Sequence, residues 1–131
     1  AREGIDEAAL AAEPEAPETL AYTRYVIDAG LSGDLLDLLV ALIPCVMGYG
    51  EIGRRLEGAA PGGLYAEWIG TYADPGYQQV CREVGALLEG VAARRLGPDP
   101  TASPRWPELA AGFGTACRLE ADFWGMGLAA G

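Results

Sequence analysis

Apolar residues recur along this chain in steps of three and four, the spacing that places side chains on one face of an α-helix. The longest such stripe is Leu38, Leu42, Cys45, Tyr49, Ile52 and Leu56. It predicts a helix that begins near Ser32 to Asp34 and ends in the stretch from Gly58 to Gly63, which holds a Pro-Gly-Gly loop. An earlier helix is expected from Thr19 to Ala29, capped by Thr19 and stopped by Gly30, with Tyr22, Tyr25, Val26 and Ala29 on its face. A shorter one follows from Leu64 to Tyr72, carrying Tyr65, Trp68, Ile69 and Tyr72. Asp74-Pro75 reads as N-cap and first helical position of the next, which runs to Leu96 with Tyr77, Val80, Val84, Leu87, Leu88 and Val91 inward. Ser103-Pro104 opens the last helix, whose stripe is Leu109, Phe113, Ala116, Glu120, Phe123 and Gly127. Residues 1–18 form an acidic surface lead-in, in which Asp6 can cap a short helix through Ala12. No alternation of period two survives, so the expected fold is an all-α bundle of about five or six elements, one domain over residues 1–131.

Four positions do not fit plain core stripes. Pro44 interrupts the long helix, removing a hydrogen bond and kinking it at a cost of about 3 kcal/mol. Cys45 follows it, and Tyr49 lies one turn later on the same face. Glu120 falls on the apolar stripe of the last helix, and burial of a carboxyl there would raise its pKa into the range of acid–base work. With Tyr22 and Tyr72 these groups form a candidate site for an aromatic, hydrogen-bonding small molecule. A thiolate is the nucleophile and a neighbouring carboxyl can protonate a leaving group. Buried cysteines are commonly inert packing residues, the role expected for Cys81 and Cys117. Glu51 and Asp122 lie off their stripes and read as solvated.

Charge and composition narrow the partners. The net charge is −10, with nine arginines and no lysine, so a phosphate backbone would be repelled and nucleic acid is not an expected partner. The N-terminus is acidic, unlike a secretory signal, and the longest apolar run, Leu38 to Met47, is short of the ~20 residues that span a bilayer. Three scattered cysteines fit free thiols in a cytoplasmic setting, and with no histidine a metal site is not expected.

The motifs, taken in order, resemble the TenA or thiaminase II family. They are Tyr22-Thr23 with Tyr25, then Pro44-Cys45 with Tyr49, Glu51, Ile52 and Gly53, then Trp68-Ile69 with Tyr72, then Glu120 with Phe123-Trp124. The resemblance covers residues 17 to 127. It implies a heme-oxygenase-like helical bundle that binds no heme and needs no cofactor. It implies hydrolysis of 4-amino-5-aminomethyl-2-methylpyrimidine to its hydroxymethyl product, and cleavage of thiamin, within thiamin salvage. It gives Cys45 the role of nucleophile and Glu120 that of proton manager, with Tyr22, Tyr49, Tyr72 and Phe123 holding the pyrimidine. It implies a homotetramer. Family members begin with further helices that supply an aspartate to the pyrimidine edge; neither Asp6 nor Asp28 stands in that context, so the chain reads as the C-terminal portion of the bundle. The competing class is a non-catalytic protein of the same fold that sequesters a pyrimidine or packs into an assembly.

Overall fold

The computed structural model describes residues 6–59 and 62–129. Its helices are α1 (Glu7–Ala12), α2 (Pro17–Ser32), α3 (Leu35–Leu56), α4 (Ala66–Ala73), α5 (Pro75–Leu96) and α6 (Trp106–Ala129), with a 3₁₀ turn at Pro100–Ala102 before α6. Every regular element among the described residues is helical. α3 is the hub: α2, α4, α5 and α6 all pack against it. Its 22 residues are long and apolar enough to cross a bilayer by length and composition. The residues pressed between its four neighbours account for part of that apolarity, while Leu35, Met47, Ile52 and Leu56 of the same helix are exposed. α1 is capped by Asp6, whose carboxylate accepts from the Ala9 N–H at 2.7 Å, and all its residues are exposed.

Several boundaries move from their sequence expectation. α2 starts at Pro17, whose fixed φ suits the first turn, so Thr19 is inside the helix and its cap is Ala16, without a side-chain hydrogen bond. Gly30 does not stop α2; it lies against Leu38 of α3, and the helix ends at Gly33. α4 begins at Ala66 rather than Leu64, and α6 at Trp106 rather than at Ser103-Pro104. The Ser103 hydroxyl instead accepts from the Arg105 N–H in the turn before α6. The Pro61 of the expected Pro-Gly-Gly loop lies outside the described residues, as do residues 1–5 of the acidic lead-in.

The core also shifts sideways around α3. Its buried residues are Leu36, Leu39, Ala41, Ile43, Pro44, Gly50 and Gly53. The stripe expected to face the core is the flank of that surface: Leu38, Leu42, Cys45 and Tyr49 are half-buried, while Ile52 and Leu56 are exposed. The cause is that α3 is wrapped on several sides, so the buried positions are those pressed between two neighbours. Leu36, Leu39, Val91 and Leu109 form the central cluster, joining α3, α5 and α6. Fully burying a side chain such as Leu36 or Val91 contributes about 1.5–3 kcal/mol. On α6 only Leu109 and Ala116 of the expected stripe are buried; Phe113 and Gly127 are exposed. On α5, Val80 and Leu87 also face out.

Charge fixes the start of α3. Asp34 accepts from the Leu36 N–H at 2.8 Å, and Asp37 accepts from the Asp34 N–H at 2.8 Å. Arg105 then spans both carboxylates, Nη1 to Asp34 at 3.0 Å and Nη2 to Asp37 at 2.9 Å. The Arg105 guanidinium is the main reason the Asp34 carboxyl titrates at about 2. Two helix starts, those of α3 and α6, are thereby tied together.

Candidate active site

Four helices bring the expected residues to one region. α2 supplies Tyr22, α3 supplies Cys45 and Tyr49, α4 supplies Tyr72, and α6 supplies Glu120 and Phe123. The Cys45 thiol is half-buried and donates to the Leu42 carbonyl at 3.1 Å. The Tyr22 hydroxyl faces both Glu120 and Cys45. Burial first, and then these two neighbours, push its pKa up. The Tyr49 hydroxyl likewise faces Glu120, with its pKa raised by burial and then by that carboxyl, while the Trp124 indole partly offsets the rise.

None of these pairs closes to a full hydrogen bond. The Tyr22 hydroxyl and both Glu120 carboxyl oxygens are buried and have no hydrogen-bond partner. Buried polar atoms are nearly always paired, so three orphans converging on one place call for a partner. A ligand presenting both donors and acceptors would satisfy them. Glu120 also lines an apolar groove of about 460 Å³ between α3 and α6, with Pro44, Tyr49, Phe113, Cys117 and Trp124 among its other walls; neither Tyr22 nor Cys45 lines it.

The phenols do not all reach the orphans directly. Tyr72 meets Tyr49 edge to face, with ring centroids 5.1 Å apart. Phe123 touches Trp124 at 6.3 Å and is thereby one ring removed from Tyr49. The tryptophans complete the cage: Trp68 lies 5.9 Å and Trp124 5.8 Å from Tyr49, and 5.5 Å from each other. Edge-to-face packing of this kind is worth about 0.5–1.5 kcal/mol per pair beyond area burial. Trp68 and Trp124 belong to the motifs of the resemblance but carry no polar signal along a helix face, so periodicity alone does not single them out.

α5 reaches the edge of the cage through Tyr77, whose ring centroid stands 4.8 Å from that of Tyr72. Its polar side chains land on carbonyls of α3: the Tyr77 hydroxyl donates to Val46 at 3.0 Å, and the Gln78 amide to Gly50 at 2.9 Å. The Cys81 thiol faces the Val46 carbonyl at 3.6 Å, and burial pushes its pKa up. Burial also pushes the Tyr77 hydroxyl up to about 12. Glu51 pairs on the surface with Arg54 and Arg55, the solvated role expected for it. Among the described residues no three histidine, cysteine or acidic side chains converge as a metal-binding group.

Comparison with known proteins gives this arrangement a family. An uncharacterised protein of Haemophilus influenzae is 35% identical over 128 residues, covering 95% of this chain and 57% of that protein. An aminopyrimidine aminohydrolase of Halalkalibacterium halodurans is also 35% identical over 128 residues, covering 95% of this chain and 54% of that enzyme. The crystal structure of a TenA family transcription regulator from Silicibacter sp. TM1040 superposes with a TM-score of 0.92 at 56% identity, covering 97% of this chain and 56% of that one. The chain thus spans a little over half the length of the relatives it matches. A sequence model of the TENA/THI-4/PQQC family matches residues 3–130, and the chain belongs to that family.

Proposed function

We propose that this chain carries the nucleophile and the proton-handling carboxyl of an aminopyrimidine hydrolase in thiamin salvage. The observation that carries the reading is the buried Glu120 carboxyl, unpartnered and faced by Tyr22 and Tyr49 on the side where Cys45 lies. The aminopyrimidine aminohydrolase relatives support the substrate class. Glu120 takes the proton of the Cys45 thiol as the sulfur forms a bond to a pyrimidine ring carbon. The bond from the exocyclic methylene to its amine then breaks, and the departing amine takes a proton from Glu120. Water adds at the methylene and returns a proton to Glu120, and that proton passes to the Cys45 sulfur as the carbon–sulfur bond breaks to release the hydroxymethyl product. Thiamin follows the same course except that its thiazolium leaves as a neutral thiazole and takes no proton, so one proton is released to solvent per turnover. Tyr22 and Tyr49 hydrogen-bond the ring substituents, while Tyr72 and Phe123 support the aromatic wall. The protein acts as a cytoplasmic homotetramer.

The test is steady-state hydrolysis of 4-amino-5-aminomethyl-2-methylpyrimidine by the full-length protein and its Cys45→Ala variant. A loss of at least about a hundredfold in kcat is expected, the scale of removing an activated nucleophile. Equal turnover by the two proteins overturns the mechanism. Tight calorimetric binding of the pyrimidine by wild type without turnover would replace the enzyme with a pyrimidine-sequestering protein.

A further inference from the structure

The corner between α4 and α5 is pinned to α3 in a way that the chemistry proposed above does not use. Asp74 alone joins the two helices, ending α4 and capping α5, with its carboxylate accepting from the Gly76 N–H at 2.7 Å. Tyr72 sits in the last turn of α4, where the final carbonyls have no intrahelical donor. Gln78, one turn into α5, donates its side-chain amide to the Tyr72 carbonyl at 2.8 Å and to the Gly50 carbonyl at 2.9 Å. One planar group therefore bridges α4 and α3 from α5.

The approach is close. A Cβ at Gly50 would stand 3.3 Å from the Gln78 amide nitrogen, and a Cβ at Gly53 would stand 2.7 Å from the Tyr72 backbone. Gly50 directly follows Tyr49, and the Tyr72 ring is held among Tyr49, Trp68 at 4.6 Å and Tyr77 at 4.8 Å. The bridge thus fixes the backbone beneath two rings of the cage. Glutamine suits the position because both acceptors are carbonyls. Glutamate has no N–H to give, asparagine is one methylene shorter, and arginine or lysine would bring a charge into a half-buried seam.

We propose that Gln78 is a positioning residue that sets Tyr72 against Tyr49, and through Tyr49 sets the phenol that faces Glu120. The role in turnover rests on the hydrolase reading; the ordering of the cage does not. A displacement on the scale of an ångström at a reacting centre costs up to about a hundredfold in rate.

The experiment uses the full-length protein with Gln78→Met, which keeps the volume and removes both donors, alone and with Tyr72→Ala. Gln78→Met is expected to lower kcat on the aminopyrimidine by about tenfold or more with KM changed by less than about threefold, and to have no further effect once Tyr72 is alanine. Near-UV circular dichroism of the tyrosines and tryptophans should fall while far-UV ellipticity is kept. An unchanged kcat, or losses that multiply in the double variant, overturns the proposal. If wild type shows no turnover, the hydrolase reading fails and the dichroism decides the positioning claim by itself. An unchanged near-UV band in Gln78→Met then refutes it. Should Gln78→Met not fold, Gln78→Asn, which keeps the amide but shortens its reach, is expected to give the same pattern, and wild-type behaviour in it overturns the proposal.

Discussion

Tyr22 of α2 and Glu120 of α6 face each other with their polar atoms buried and neither hydrogen-bonded. Such a pair is held in place by the surrounding packing rather than by its own attraction. It marks where folding free energy has been given up at the candidate site.

Replacing that carboxyl by an apolar side chain of similar length should therefore stabilise the fold. Glu120→Met is expected to raise unfolding stability by about 1–3 kcal/mol, the desolvation cost of an unsatisfied buried polar group. Hydrolysis should be lost in the same variant. Urea unfolding measures the first effect, and a midpoint below that of wild type would refute it.

Two glycines of α3 should respond oppositely to alanine. A methyl group added at Gly48 would meet only open space, so Gly48→Ala is expected to gain about 0.5–1 kcal/mol from helix propensity alone. At Gly53 the same methyl meets the Tyr72 backbone at 2.7 Å, and Gly53→Ala should cost about 1–3 kcal/mol. Thermal melts of the two variants check the contrast, which disappears if both shift in the same direction.

Acid sensitivity should trace in part to Asp34. Its carboxyl titrates at about 2 in the folded chain against an ordinary 3.8, so its contribution is fully present above pH 4 and is lost as pH falls toward 2. Arg105 is partly exposed, which limits the contribution to roughly 1–2 kcal/mol. Asp34→Asn should be less stable than wild type at pH 7 by about that amount, and the gap should close by pH 2. A gap of the same size at both pH values would remove the ion pair as its cause.

The three thiols should react at different rates. Cys81 is buried, and burial pushes its pKa up, so little thiolate forms at neutral pH. Cys45 and Cys117 are only half-buried. Titration with a disulfide reagent on wild type and Cys81→Ser should show that the slow phase belongs to Cys81, and its persistence in Cys81→Ser would contradict this.

The sequence displays some of this directly and hides the rest for physical reasons. Glu120 is legible because a carboxylate interrupts an apolar stripe, and the Asp74-Pro75 boundary is legible because both residues suit a helix start. Gly30 misleads, since glycine serves both as a stop and as a place for close approach, and here Leu38 takes the space. Ile52 and Leu56 mislead because periodicity reports a face, while burial depends on which neighbours arrive there. Gln78 leaves no trace at all: its acceptors are backbone carbonyls of two other helices, and backbone atoms have no letters in a sequence.

α3 packs against α2, α4, α5 and α6, and among the described residues no other helix touches as many of its fellows. The consequence concerns opening motions. A helix packed against four others cannot come loose without parting from all of them, so the amides around Cys45 and Tyr49 should exchange with solvent deuterium only when the whole bundle opens. α1, which is exposed throughout, should exchange within the first moments. Cys45, the proposed nucleophile, and the phenol beside it thus ride on the last element to let go, and their alignment should persist for as long as the protein stays folded.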